Sequence, residues 1–448
     1  MTEKERNRFR HWAARLKQEG YAQITFTAVD TYERFTSTSG TQIDRRQDAV
    51  DHLYIAEAAR EGKRGCVYWT QLPQTEEMMA RLKEAVKASG QEPKSLDRIG
   101  EGGCFSGREI SMGFEPHEDI LQKFLSTGEE AKEAPGRSHL TRLSYIQNQV
   151  DIYVCGEDGL EYGDTSGYHC LEVEHKLRQG KEAAVARMSC YCKAIRELSL
   201  KELVRAEARK AAQELGSRPV ASGRYPVIFN NTVMAEMLEA YLPAFYGDWI
   251  LSRRSFMAGR LGRRVAAVGV NVREVPALEQ GRSCRQIDDE GYPVQEKYLI
   301  RDGIFTTALL NQRLAHLLKL RNTGNGFRSG PFNEDGIGVT NILLEGQAPC
   351  PPEQLLERLG CGLLITGVEG LMAGTDIRTG QFSLLVKGRK IENGRESGAF
   401  CQVTIAGNFF AMLEEIRMIG DDYAPTGPDS ECVLAPSVFV GDLAVSGA

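Results

Sequence analysis

The chain has 448 residues, 42% of them hydrophobic and 26% charged, with a formal net charge of −6. That length exceeds one ordinary core and predicts two or three domains. The acidic balance argues against a nucleic-acid binder, because phosphate recognition needs a local excess of Lys and Arg.

No stretch reaches the roughly 20 apolar residues of a membrane span. The start, MTEKERNRFRHWAARLKQEG, is charged and amphipathic and lacks the apolar run of a signal peptide. A cytoplasmic protein with no membrane partner is expected. Eleven cysteines, irregularly spaced and without a C-x-x-C pair, fit reduced thiols better than a disulfide framework.

In chain order, Glu3 to Gln18 has helical periodicity and stops at Gly20. YAQITFTAV alternates as a strand and GCVYWTQL is a second one. Thr75 to Ser89 is a helix with Met78, Met79, Leu82 and Val86 on one stripe and Gly90 as its stop. The polar stretch STGEEAKEAPGRS, 126–138, reads as a loop or linker. Strand patterns follow in QVDIYVCG, YHCLEVEHKL and AAVARMSCYC. Ser199 to Leu215 is a helix with an S-x-x-E capping box, Ser199 and Glu202, ended by Gly216.

From Tyr225 onward the pattern is mainly β, with one helix near its start. Asp302-Gly303 and Asn393-Gly394 predict hairpins and Glu290-Gly291 another turn. Short helices are expected at Pro352 to Leu359 and Asn408 to Ile419. The fold class is therefore α+β: two smaller N-terminal α/β segments and a large β-rich C-terminal domain. The expected divisions are 1–110, 111–216 with its closing helix, and 217–448.

The helix after the strand YPVIF carries the first candidate chemistry. Thr232 is its expected N-cap. Val233, Met234, Met237, Leu238, Tyr241, Leu242 and Phe245 form one apolar face, with Glu236 and Glu239 opposite, beside Ala235 and Ala240. A glutamate on a helix after a strand is where many zinc hydrolases keep a general base, yet this helix has no histidine. On the helix alone, both glutamates are expected in water.

His169 and His175 share a strand face but lie about 20 Å apart as an extended chain, too far for one metal. Cys190 and Cys192 are expected as packed thiols. Asp288, Asp289 and Glu290 resemble a hard-cation cluster with too few ligands. The glycine-rich RNTGNGFRSG and GLMAGTDIRTGQFS lack a phosphate-loop pattern and read as turns. Arg253, Arg254, Arg260, Arg263 and Arg264 crowd one segment, read as a solvated loop or strand edge.

GTDIRTGQFSLLVKGRKIENGRESGAFCQVTIAGNFFAMLEEIRMIGDD, Gly374 to Asp422, resembles the TldD/PmbA family, also described as modulators of DNA gyrase. IDDEGYPVQEKYLIRDGIFTTALLNQRLA, GRYPVIFNNTVMAEML and APSVFVGDLAVSG extend the resemblance over the last half, and DHLYIAEAAREGKRGCVYW and LVRAEARKAAQELG carry it more loosely into the first. The resemblance implies that TldD-type members carry H-E-x-x-x-H on the helix described above, a zinc site with a glutamate general base. Here those positions read Ala235, Glu236 and Ala240. TldD-type chains also draw a cysteine ligand from near the C-terminus; Cys432 lies in that region without aligning on the ligand. The chain is therefore similar to the PmbA (TldE) type, which lacks the zinc motif.

That type implies a non-catalytic subunit of a two-chain peptidase, with zinc held by a TldD-like partner and an extended peptide or unfolded polypeptide as substrate. Two alternatives stand beside it. One is a self-assembled, homodimeric peptidase using Glu236. The other is a regulatory binding protein without catalysis.

Overall fold

The computed structural model describes residues 2–90, 104–106, 113–128, 138–159, 161–278, 281–282, 285–328 and 336–447. Most of the expected linker 126–138, and the boundary placed at 110/111, lie outside these residues.

The N-terminal half is one seven-stranded sheet: β1 (Ala22–Ser39), β2 (Gln42–Arg60), β3 (Lys63–Trp69), β4 (Cys104–Ser106), β5 (Ser138–Gly156), β6 (Glu161–Gln179) and β7 (Glu182–Cys192). Its order is β3-β2-β1-β5-β6-β4, with β7 also on β6. β1 pairs antiparallel with β5 from Thr25↔Gly156 to Ser39↔Arg142, so segments on both sides of residue 110 share a sheet.

Among the described residues, four helices cover one face: α1 (Glu3–Gln18), α2 (Thr75–Ala88), α3 (His117–Gly128) and α4 (Leu200–Glu214). The period of two explains this. Tyr145 and Tyr153 of β5 pack into the helix-covered cores with Phe124 and Phe9, whereas Ile152 and Val154 turn the other way and meet Ile287 of the C-terminal half.

Three local expectations need correction. The strand read at YAQITFTAV is half of an 18-residue strand, and β2 was not anticipated. Residues 42–46 of β2 are exposed, so no alternation marks the strand; backbone pairing with β1 holds it. Ser199 precedes α4 but makes no side-chain cap bond, so the capping box does not form.

After α4 come β8 (Gly223–Phe229), α5 (Asn231–Tyr241), α6 (Gly247–Leu251), β9 (Val270–Glu274), β10 (Lys297–Arg301), β11 (Ile304–Phe305), α7 (Gln312–Leu318), β12 (Asn341–Gly346) and α8 (Pro352–Leu359). There follow β13 (Gly362–Glu369), α9 (Leu371–Gly374), β14 (Gln381–Glu392), β15 (Arg395–Asn408), α10 (Phe409–Glu414), β16 (Met418–Ile419), β17 (Ala424–Pro425), β18 (Cys432–Ala435) and β19 (Val438–Ser446). They build two six-stranded sheets, β11-β10-β9-β12-β18-β17 and β15-β14-β13-β8-β19-β16. An added pairing of β15 with β19 closes five strands of the second into a ring. The fold is α+β with a β-rich C-terminal part.

The hairpin turns fall where Asp302-Gly303 and Asn393-Gly394 put them, each pair with positive φ. The helix expected over Asn408 to Ile419 is shorter. Asn408 caps α10 by accepting the Phe410 and Ala411 N–H groups, and the chain re-enters a sheet at β16.

The largest core lies between the two C-terminal sheets. Val272, Leu299 and Ile342 of one sheet and Leu363, Ile365 and Leu384 of the other enclose Met234, Met237, Leu238 and Tyr241 of α5. Buried polar contacts join the two halves of the chain. Arg328 Nη2 donates to Glu57 Oε2 at 2.7 Å, and the Gln286 N–H donates to Asp164 Oδ2 at 3.0 Å. Lys387 Nζ reaches Glu214 Oε2 at 2.8 Å, and Arg389 Nη1 donates to the Gln213 carbonyl at 2.6 Å.

Candidate functional site

α5 positions the central candidate. The Asn230 N–H donates to the Ile365 carbonyl at 3.0 Å, fixing the turn out of β8. Asn230, not Thr232, is the N-cap: its Oδ1 accepts the Val233 N–H at 2.9 Å. Cap backbone must leave the helical region, and Asn230 does so with ψ 168. At the other end, the Tyr241 hydroxyl donates to the Gln381 carbonyl at 2.7 Å while its ring stacks on Phe409, centroids 4.3 Å apart. The helix is pinned at both ends.

One side of α5, with Asn231, Thr232 and Glu236, faces a cleft of ≈ 790 Å³ between the two halves of the chain. The opposite wall is the face of the N-terminal sheet turned away from α1 to α4, with Arg142, Ser144 and Ile146 of β5, Glu172 of β6 and Arg187 of β7. The segment 427–429 closes one end, and beyond it lies a second cavity of ≈ 670 Å³ that shares Tyr168 and Asp429 with the first. Arg282 holds this divider. Its Nη1 donates to the Pro428 carbonyl at 2.9 Å and to that of Ser430, and its guanidinium lies 5.7 Å from the Tyr168 ring.

The two glutamates are not in open water. Both are half-buried: Glu236 faces the cleft that the N-terminal sheet roofs, and Glu239 packs against the segment 430–431. Burial, and then the neighbouring Glu239, push the Glu236 carboxyl up to about 7. Glu239 is also raised, chiefly by burial. Its Oε1 accepts the Glu431 N–H at 3.1 Å, which ties α5 to the divider. Across the cleft Glu172 is raised by burial and then by Asp429, whereas Glu174 is held low by Lys176 and Arg187 at 2.7 and 2.5 Å.

Zinc finds no ligand set on these residues. Ala235 is fully buried in the core and Ala240 packs against it, so both positions flanking Glu236 present methyl groups. The Cys432 thiol is turned into a cluster with Val275, Leu343 and Leu434, accepts the Arg282 N–H at 3.3 Å, and is pushed up to about 11 by burial. Among the described residues, no group of three or more His, Cys, Asp or Glu side chains comes together at metal-holding spacing.

The remaining candidates separate. His169 and His175 are both buried and serve different partners: Nδ1 of His169 lies 3.1 Å from the Tyr145 hydroxyl, and Nδ1 of His175 lies 2.9 Å from Thr141 Oγ1. Cys190 and Cys192 pack beside Met188 and Leu198, both raised by burial. Asp288 is a loop brace, accepting the Glu290, Tyr292 and Gly326 N–H groups at 2.8 to 3.0 Å. Asp289 pairs with Arg285 at 2.8 Å, and Glu290 accepts the Gln312 N–H.

The cleft residues Arg142, Tyr168, Glu172, Arg187, Arg282 and Asp429 were not singled out from the sequence. A partial signal was present: Arg142 and Ser144 alternate with Leu143 and Tyr145 on a long strand, although Ile146 and Gln147 then break the pattern.

The chain is thus an α+β protein with a β-rich C-terminal half and an acid-bearing helix against the cleft between its two halves. Residues 222–447, just over half of the chain, match the PmbA/TldA metallopeptidase C-terminal domain, and the chain belongs to the TldD/PmbA family. It is similar to a metalloprotease PmbA homolog of Buchnera aphidicola subsp. Acyrthosiphon pisum, 27% identical over 356 residues, covering 77% of this chain and 74% of that protein. It is also similar to metalloprotease PmbA of Escherichia coli O157:H7, 28% identical over 350 residues, covering 74% and 73%. Among solved structures, TldE from Thermococcus kodakarensis shares the fold with a TM-score of 0.85 at 18% identity, covering 97% and 98% of the two chains. No helix among the described residues is long and apolar enough to cross a membrane.

Proposed function

We propose that this chain is the metal-free subunit of a two-chain, cytoplasmic peptidase, forming one wall of the peptide cleft beside a zinc-bearing, TldD-like partner. The observation that carries this reading is the pair of methyl groups at Ala235 and Ala240 on either side of Glu236. A lone carboxylate cannot hold catalytic zinc, which needs about three protein ligands and an open position.

The cleft has a sheet face on one side and a helix on the other, so side chains of both walls, Arg142, Glu172 and Arg187 opposite Thr232 and Glu236, would hold a peptide in it. Native mass spectrometry of the assembly from its own cells, with metal retained, tests the proposal. A one-to-one complex with a second, zinc-bearing chain is expected. A self-assembly carrying its own metal overturns it.

One observation favours a second reading, a self-sufficient peptidase. Glu236 sits in the cleft with its carboxyl at about 7, the range of a general acid or base. Peptidase activity of the pure chain, lost in Glu236→Gln, is the result that selects it. A purely regulatory role is left if the chain has neither a zinc-bearing partner nor activity.

A further inference from the structure

The segment Trp249 to Arg264, WILSRRSFMAGRLGRR, holds five arginines and no acid in a chain of net charge −6. It contributes no side chain to either cleft cavity. Its backbone is clamped from beneath. Ser255 and Met257 are buried; Ser255 Oγ donates to the Ala244 carbonyl at 2.5 Å and accepts the Met257 N–H at 2.9 Å. The Phe256 ring stacks on buried Phe410, centroids 4.1 Å apart at 8°. The Gly262 N–H donates to the Phe305 carbonyl at 2.8 Å, and the Phe305 N–H returns to the Arg263 carbonyl at 2.9 Å. A loop held this way binds a partner with little ordering cost.

The outer surface carries the charge. Arg253, Arg254, Arg263 and Arg264 are exposed and Arg260 is half-buried. Two of them are oriented by rings: Arg254 lies 4.8 Å from the Trp249 ring and Arg260 3.9 Å from that of Phe256. Among the described residues, one carboxylate comes within ion-pairing distance of the five, Asp248, at 3.9 Å from Arg254. Apolar side chains lie beside them in sequence, with Leu251 43%, Leu261 45% and Val268 71% exposed.

We propose that this loop is a preformed docking surface for an acidic polypeptide segment of a different protein, one with apolar side chains among its carboxylates. Three features select that occupant. Arginine with tryptophan and exposed aliphatics is the composition of protein interfaces. Duplex DNA offers phosphates but nothing to cover Leu251, Leu261 and Val268. A two-fold contact between copies of this chain through the loop would set arginines against arginines.

Fluorescence anisotropy with the full chain tests the assignment. The probes are a labelled Glu/Leu-rich peptide of about 14 residues, its Gln-for-Glu counterpart, and a duplex DNA of about 20 base pairs. The acidic peptide is expected to bind, the Gln peptide and DNA to bind at least about tenfold more weakly, and Arg253→Glu with Arg254→Glu to weaken the acidic peptide about tenfold or more. Arg253→Lys with Arg254→Lys keeps the charge and should retain most of the binding. If the first pair compromises folding, Arg254→Glu with Arg263→Glu reads the same surface. Unchanged binding in the Glu variants, equal binding of the Gln peptide, or a preference for DNA overturns the proposal. So does self-association of the chain that the Glu variants abolish.

Discussion

Substituting Glu236 by Gln isolates the consequence of roofing α5. The carboxyl is raised from 4.5 to about 7, chiefly because burial disfavours its charged form. A carboxyl whose folded value lies above its unfolded value contributes stability that is complete below about 4.5 and is lost as pH rises through about 7, because the native state binds more protons across that window. A shift of that size corresponds to at most about 3 kcal/mol. Water in the cleft screens part of it, leaving about 2 kcal/mol.

Glutamine keeps the shape and cannot ionise. The variant should therefore match the parent near pH 4 and exceed it by about 2 kcal/mol near pH 8, a rise of roughly 4–8 °C in Tm for a domain of this size. Thermal unfolding followed by circular dichroism at about pH 4, 6 and 8 measures the difference. A difference that is equal at all three pH values, or largest at pH 4, refutes the desolvation argument.

Glu57→Ala removes an almost fully buried carboxylate that Arg328 reaches at 2.7 Å and Arg64 at 2.9 Å, and breaking the buried Arg328 pair should cost about 3–5 kcal/mol in urea unfolding. Ala235→His with Ala240→His forces an imidazole into a fully buried position, at a cost of about 1–3 kcal/mol. That variant should retain well under one zinc per chain after gel filtration, and stoichiometric zinc with a raised Tm would show that the ligand frame is intact. Gly65→Ala places a Cβ 2.4 Å from the Val86 backbone nitrogen, so α2 must lift from β3. A loss of about 1–3 kcal/mol is expected, with faster proteolysis of the first 90 residues.

Elements whose own side chains supply the driving pattern were legible. α1 spans the expected residues because Phe9, Trp12, Ala13 and Leu16 make a stripe and Glu19 and Gly20 end it. The Gly303 and Gly394 turns were legible because positive φ selects glycine. β2 was not, since its exposed first half owes its conformation to backbone pairing with β1 and not to burial of alternate residues. The N-cap of α5 went to Asn230 instead of Thr232 because β8 hands the chain over at the Ile365 carbonyl, a contact made 135 residues away in sequence.

The candidate site divides along the same line. Residue identity alone determined that the positions beside Glu236 offer methyl groups and no imidazole, and the motifs of the C-terminal half carried the family with them. Helical periodicity also placed Glu236 and Glu239 off the apolar face of α5. What lay over that polar side was decided only by tertiary structure. Strands β5 to β7, distant in sequence, roof it, and Arg282 and Asp429 close the cleft. Desolvation is summed over every atom near the carboxyl, whichever part of the chain supplies it, so a glutamate that is solvated on an isolated helix becomes an acid of about 7 in the folded protein.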